Sequence, residues 1–82
     1  LSVLRRKSNK FVITFHSTTD AIEMEKICKL QQMPGRLVPV PRSISASCGL
    51  CWICEKDKSD KLKQMISSFD LDTEEYYYLY MY

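Results

Sequence analysis

The chain has 82 residues, a net charge of +2, 45% hydrophobic and 27% charged residues, a composition that fits one ordinary folded domain and excludes disordered and collagen-like classes. So short a chain buries roughly 60 to 65% of its unfolded surface, too little to enclose a deep active site. Its small net charge gives no ground for expecting a nucleic-acid partner.

Residues 1–10 read as a basic, solvated lead-in containing Arg5, Arg6, Lys7 and Lys10, and residues 11–82 as a single domain. Phe11, Ile13 and Phe15 alternate with Val12 and Thr14, which predicts a strand over 11–15. His16 follows, then Ser17, placed to cap a helix whose Asp20 suits the positive end of the dipole. From Thr18 to about Gln32, the apolar residues Ala21, Met24, Ile27 and Cys28 recur at helical spacing, so Cys28 reads as a core residue. Pro34 and Gly35 are expected to end that helix. Residues 36–40 predict a second strand in which Pro39 suits a sheet edge. A polar loop over 41–47 leads to an apolar third strand over 50–55. Asp57 or Ser59 is then expected to cap a second helix with Leu62, Met65, Ile66 and Phe69 on its apolar face. After a polar turn over 70–75, residues 76–82 form a tyrosine-rich closing strand. Tyr77, Leu79 and Met81 lie on one of its faces, and Tyr76, Tyr78, Tyr80 and Tyr82 on the other.

The order βαββαβ predicts an α+β ferredoxin-like sandwich, a four-stranded antiparallel sheet with two helices on one face. In that topology the first two strands run the same way. The loop after the second strand and the start of the first helix therefore share one end of the sheet, which brings Arg42 and Cys48 toward His16 and Ser17.

Three of the four cysteines fall within seven residues: Cys48, Cys51 and Cys54. Disulfide-rich secreted domains are loop-rich, whereas this chain has long periodic segments and two glycines, so free thiols in a reducing cytoplasm are expected. No apolar run approaches the roughly 18 to 20 residues of a membrane span, and residues 1–10 lack the apolar core of a signal peptide. A start at Leu1 rather than Met points to missing N-terminal residues.

Cys48 follows small hydroxyl-bearing residues and precedes Gly49, which places its sulfur on a loop tip where backbone amides can approach. Positive charge and helix N-termini populate thiolates, and Arg42 in the same loop supplies such a charge. Cys48 and Cys51 also have dithiol C-x-x-C spacing, although redox pairs typically open a helix and Cys51 sits in a predicted strand. Cys51 and Cys54, three apart in a strand, point to opposite faces and cannot grip one ion; no metal and no cofactor is expected. His16 can be a proton partner of Cys48 or a solvent-facing residue at a strand end. The closing strand, expected at a sheet edge, can pair with a second copy to give a homodimer or can serve a non-catalytic interaction module.

Residues 11–15, Ser17, Thr18, Ala21, Glu25, Lys26, the run from Gly35 to Arg42, and Ser47, Cys48, Gly49 and Leu50 resemble a small bacterial family of selenium/sulfur carrier protein-like domains. The resemblance covers about residues 11 to 55 and is carried most specifically by Val40, Pro41 and Arg42 and by Ser47, Cys48 and Gly49. It implies a cysteine that accepts sulfur or selenium as a persulfide or selenosulfide and passes it on. Cys48 stands at that position, with Arg42 as the family's basic residue and donor and acceptor proteins as partners. The expected function is a carrier rather than a turnover enzyme; the alternatives are a thiol-disulfide redox protein and an interaction module. The chain departs from the family pattern at Cys51, where a small residue is usual, and this extra thiol could resolve a Cys48 persulfide as a disulfide.

Overall fold

A computed structural model describes residues 7–81. Arg5 and Arg6 of the lead-in and Tyr82 of the closing strand lie outside the described residues. The elements are β1 (Ser8–Thr14), α1 (Thr18–Leu30), β2 (Arg36–Pro39), β3 (Leu50–Glu55), α2 (Ser59–Phe69) and β4 (Tyr76–Met81). They form one sheet in the order β2-β3-β1-β4 with every neighbouring pair antiparallel, the expected ferredoxin-like arrangement. Among the described residues no helix is long and apolar enough to cross a membrane.

β1 begins at Ser8, ahead of its apolar run, because pairing extends it: Ser8 lies opposite Met81, Asn9 opposite Tyr80 and Lys10 opposite Leu79. On its other side Lys10 faces Glu55 and forms an ion pair with it. The helix-side core packs Phe11, Ile13, Phe15, Trp52 and Cys54 of the sheet side against Ala21, Met24 and Cys28 of α1 and Leu62, Met65 and Ile66 of α2. Periodicity therefore located both buried helix stripes.

The helix ends depart from the expectation in instructive ways. Ser17 does cap α1, its hydroxyl oxygen accepting from the Asp20 amide at 3.2 Å. That helix stops at Leu30, however, through Gln32 in a left-handed conformation (φ 55°), with the Met33 amide bonded back to the Cys28 carbonyl at 2.8 Å. This is a Schellman-type cap that Gln supplies without glycine. Gly35 serves a different need. At φ +115° it lies under the Trp52 indole, where an added Cβ would stand 2.6 Å from the Ile53 carbonyl oxygen and overlap Trp52 Nε1. The indole N–H in turn donates to the Pro34 carbonyl at 3.2 Å.

Neither Asp57 nor Ser59 caps α2; the chain enters through a single 3-10 turn, Lys56–Lys58, and Lys58 takes the cap position without a side-chain bond. Phe69, expected on the apolar face, is 42% exposed. Its place is taken by Leu71, which the left-handed Asp70 turns back so that the Leu71 amide bonds the Ile66 carbonyl at 3.0 Å and its side chain packs on the core.

The sheet face without helices is also apolar. Val12, Cys51 and Ile53 are buried there, bordered by Val38, Val40, Ile44, Tyr77, Leu79 and Met81. Both edges fall where the sequence placed them, with Pro39 at the end of β2 and the tyrosines on β4. Tyr76 and Tyr78 lie on the helix side, each ring within 5.4 Å of the Phe11 ring.

Because Gly35 is closed in by backbone as well as by Trp52, Gly35→Ala should destabilise the domain by about 2 kcal/mol or more. Urea unfolding followed by Trp52 fluorescence checks this; a midpoint equal to wild type would contradict the assigned role.

Candidate functional site

Three connections meet at one end of the sheet. Residue pairing places Thr14, the end of β1, opposite Cys51, and Ile13 opposite Tyr76. The turn after β1, the loop between β2 and β3, and the turn before β4 are thus neighbours. The long loop is pinched at its base by the Val40 amide bonded to the Gly49 carbonyl at 3.0 Å, and turned by the Ile44 amide on the Pro41 carbonyl at 3.2 Å.

Cys48 sits half-buried just inside that pinch, packed against the helix-side core. Its Sγ lies 3.4 Å from the Leu50 amide nitrogen and 3.4 Å from the Leu50 carbonyl oxygen. A thiol there donates to the carbonyl, and a thiolate accepts from the amide. Gly49 has φ +78° with open space where a Cβ would stand, so it is required for its backbone conformation and leaves this side of the loop uncovered. Arg42 is exposed and, among the described residues, pairs with no acidic group.

The residue that anchors the loop is one the sequence reading passed over as part of a polar turn. Glu74 Oε1 accepts from the Ser47 amide at 3.1 Å, and Oε2 accepts from the Ser47 hydroxyl at 2.6 Å. His16 Nδ1 stands 3.6 Å from the same Oε2, with its side chain 64% exposed. These bonds, those of Ser47 first and the nearby His16 after them, hold the Glu74 carboxyl below the usual carboxylate range. Glu74 is itself fixed by β1: its amide donates to the Thr14 carbonyl at 2.7 Å, while Thr14, fully buried, exchanges bonds with Glu75 through both its backbone amide and its hydroxyl. His16, Ser45, Ser47, Glu74 and Tyr77 line an open hollow of about 520 Å³. His16 therefore reaches the loop as expected, but its partner is Glu74, and no hydrogen bond joins it to Cys48 among the described residues. The βαββαβ order already placed the turn before β4 at this end, so a carboxylate there was the available signal.

The other thiols lie elsewhere. All four cysteines are free. Cys51 belongs to the helix-free face and Cys54 to the helix-side core, so their side chains diverge as strand geometry requires. Burial pushes Cys51 up to about 11, the Cys48 sulfur adding to the effect. Burial likewise pushes Cys54 to about 11 and Cys28 to about 12, with smaller contributions from neighbouring charges, Glu55 first for Cys54 and Cys54 for Cys28. Among the described residues no group of three or more His, Cys, Asp or Glu could hold a metal ion.

The sequence pattern of the family described as "Putative Se/S carrier protein-like" matches residues 10–78. The chain belongs to that family. No curated protein and no solved structure matches it. The match runs past Cys48 and through α2 into β4, so this Se/S carrier-like domain includes the turn that carries Glu74 as well as the cysteine loop.

One thiol of this carrier-like domain should react in the native state. At pH 8 a thiol with a pKa of about 11 is roughly 0.1% ionised, and only the thiolate is alkylated. Iodoacetamide is expected to modify Cys48 at least about 100-fold faster than Cys28, Cys51 or Cys54. Peptide mapping after timed quenching checks this, and comparable rates at two sites would contradict it.

Proposed function

We propose that the protein carries sulfur or selenium on Cys48, as a persulfide or selenosulfide, between a donor and an acceptor protein. The observation that carries this reading is the contrast among the four thiols: Cys48 stands at the rim with the Leu50 amide aimed at its sulfur, whereas Cys28, Cys51 and Cys54 are buried. Family membership supports the same reading.

The transfer is an exchange that consumes no oxidant. The Cys48 thiolate attacks the outer sulfur of a persulfide on the donor; the donor's S–S bond breaks, its cysteine leaves as a thiolate, and a new S–S bond forms on Cys48. An acceptor thiolate repeats the step in the other direction. The Leu50 amide donates to the charged sulfur before loading. The exposed Arg42 adds positive charge to the same loop. A dithiol mechanism is less favoured, because Cys51 lies in the helix-free face and burial keeps it protonated, which makes it a poor resolving nucleophile. Free thiols fit a reducing compartment, and the cytoplasm is the proposed location.

The outer strand β4 supplies a surface for a second copy of the chain. Tyr76–Met81 contains no charge and no proline, its outer edge pairs with no strand among the described residues, and Tyr80 is 68% exposed. Antiparallel self-pairing would continue the sheet and align the tyrosines across the joint.

Two measurements test these readings. Incubation with a cysteine desulfurase and cysteine is expected to add one sulfur to the intact mass of wild type and none to Cys48→Ser; no adduct on wild type would sink the carrier proposal. For the edge, Tyr80→Lys should shift a wild-type dimer to monomer in sedimentation at micromolar concentration, and a wild type that is monomeric throughout would dispose of the self-pairing.

A further inference from the structure

We infer that Glu74 is the positioning residue for Cys48: its carboxylate clamps Ser47, the residue immediately before the cysteine, and so holds the 41–48 loop in the arrangement that sets the sulfur against Leu50. The inference rests on the reading of Cys48 as the reactive thiol and adds to it the element that fixes the thiol in place.

The geometry singles Glu74 out. Among the described residues, the hydrogen bonds that tie residues 41–47 to another part of the fold are the two from Ser47 to this carboxylate, at 3.1 and 2.6 Å. The Ile44 bond stays inside the loop. At the far end the loop is anchored by the Val40 and Gly49 pair. Cys48 lies between that anchor and the clamp, so its backbone is held from both sides. Without Glu74, residues 41–47 would keep only their internal turn and the apolar contact of Ile44 with the helix-free face.

The clamp is rigid because Glu74 does not stand on a free turn. Its amide is bonded to the Thr14 carbonyl, and the next residue, Glu75, bonds Thr14 three further times, through its amide and its carbonyl. A carboxylate on so fixed a backbone, meeting both donors of a single serine, costs little additional ordering when it binds. The same design lets the loop be released without disturbing the core, since neither Ser47 nor Glu74 is part of a buried cluster.

Protonation gives a signature that a merely space-filling residue would lack. The ionised carboxylate is the form that accepts from both Ser47 donors, and these bonds lower its pKa. A depressed carboxyl contributes above its unfolded value of about 4.3 and loses that contribution as pH falls through the lower folded value. The titratable groups facing Glu74 are His16 across the turn after β1, Glu75 beside it and Tyr77 on β4 in the same hollow. Of these, His16, with Nδ1 3.6 Å from Oε2, adds to the lowering of the carboxyl after the two Ser47 bonds.

The test compares wild type, Glu74→Ala, Glu74→Gln and Ser47→Ala. Hydrogen exchange at the Ser47, Cys48 and Gly49 amides reads the loop, the rate of Cys48 alkylation reads the sulfur's setting, and thermal melting reads the fold. In Glu74→Ala the Ser47 amide is expected to exchange about tenfold faster, as for loss of a charge-assisted hydrogen bond, and the alkylation rate to change several-fold while the melt stays cooperative. Glu74→Gln keeps an oxygen for the Ser47 amide and should recover part of the protection. Its Ser47 amide shift should stay flat on acidification, where wild type follows the titration of Glu74 below the usual carboxylate range. Ser47→Ala should loosen the loop by less than Glu74→Ala. Unchanged Ser47 exchange and unchanged Cys48 alkylation in Glu74→Ala would overturn the inference. If these change as expected while wild type accepts no sulfur from a desulfurase, the positioning role stands and the carrier reading fails.

Discussion

The end of the domain that carries the cysteine loop depends on how Thr14 is held. As the last residue of the central strand β1 it is fully buried, and buried backbone groups must find partners. Both come from the turn before β4: the Thr14 amide donates to the Glu75 carbonyl at 2.9 Å, and its carbonyl accepts from the Glu74 amide at 2.7 Å. The hydroxyl is used as well, against the Glu75 backbone. A requirement of strand chemistry thus fixes where the Glu74 carboxylate stands, and the carboxylate then meets Ser47 of the cysteine loop. Secondary-structure pairing, loop position and thiol setting form one connected chain of causes.

The second constraint is size. A domain this small cannot build a deep pocket, and it spends its apolar residues on both sides of a single sheet. Three of its four cysteines are absorbed as small apolar residues and held protonated by burial. The fourth stays at the rim. The difference among chemically identical side chains then follows from placement, and Cys48 keeps partial access and a nearby backbone donor.

Several local features resisted reading from the sequence, and in each case a tertiary contact overrode a local rule. Pro34 and Gly35 look like a helix stop, yet Gln32 ends α1 and Gly35 is needed where Trp52 crosses the backbone. Phe69 continues the apolar stripe of α2 but gives way to Leu71, because the left-handed Asp70 swings the following residue into the core. Cys51 reads as a partner of Cys48 by spacing, whereas strand alternation sends it to the helix-free face. The tyrosines of β4 do alternate, but Tyr76 and Tyr78 stand beside Phe11 on the helix side, with Lys63 of α2 donating to the Tyr78 hydroxyl at 2.8 Å.

What the sequence alone determined was the order of elements, most of both helix stripes and the edge positions of β2 and β4. Each of these rests on periodicity or on proline's missing donor, which are local properties of the chain. Only the folded chain decided which partner His16 takes, which face receives Cys51, and that Glu74 reaches Ser47 across 27 positions. Those outcomes depend on which turns antiparallel pairing brings together and at what distance, and hydrogen-bond distances between remote turns are encoded in no single stretch of sequence.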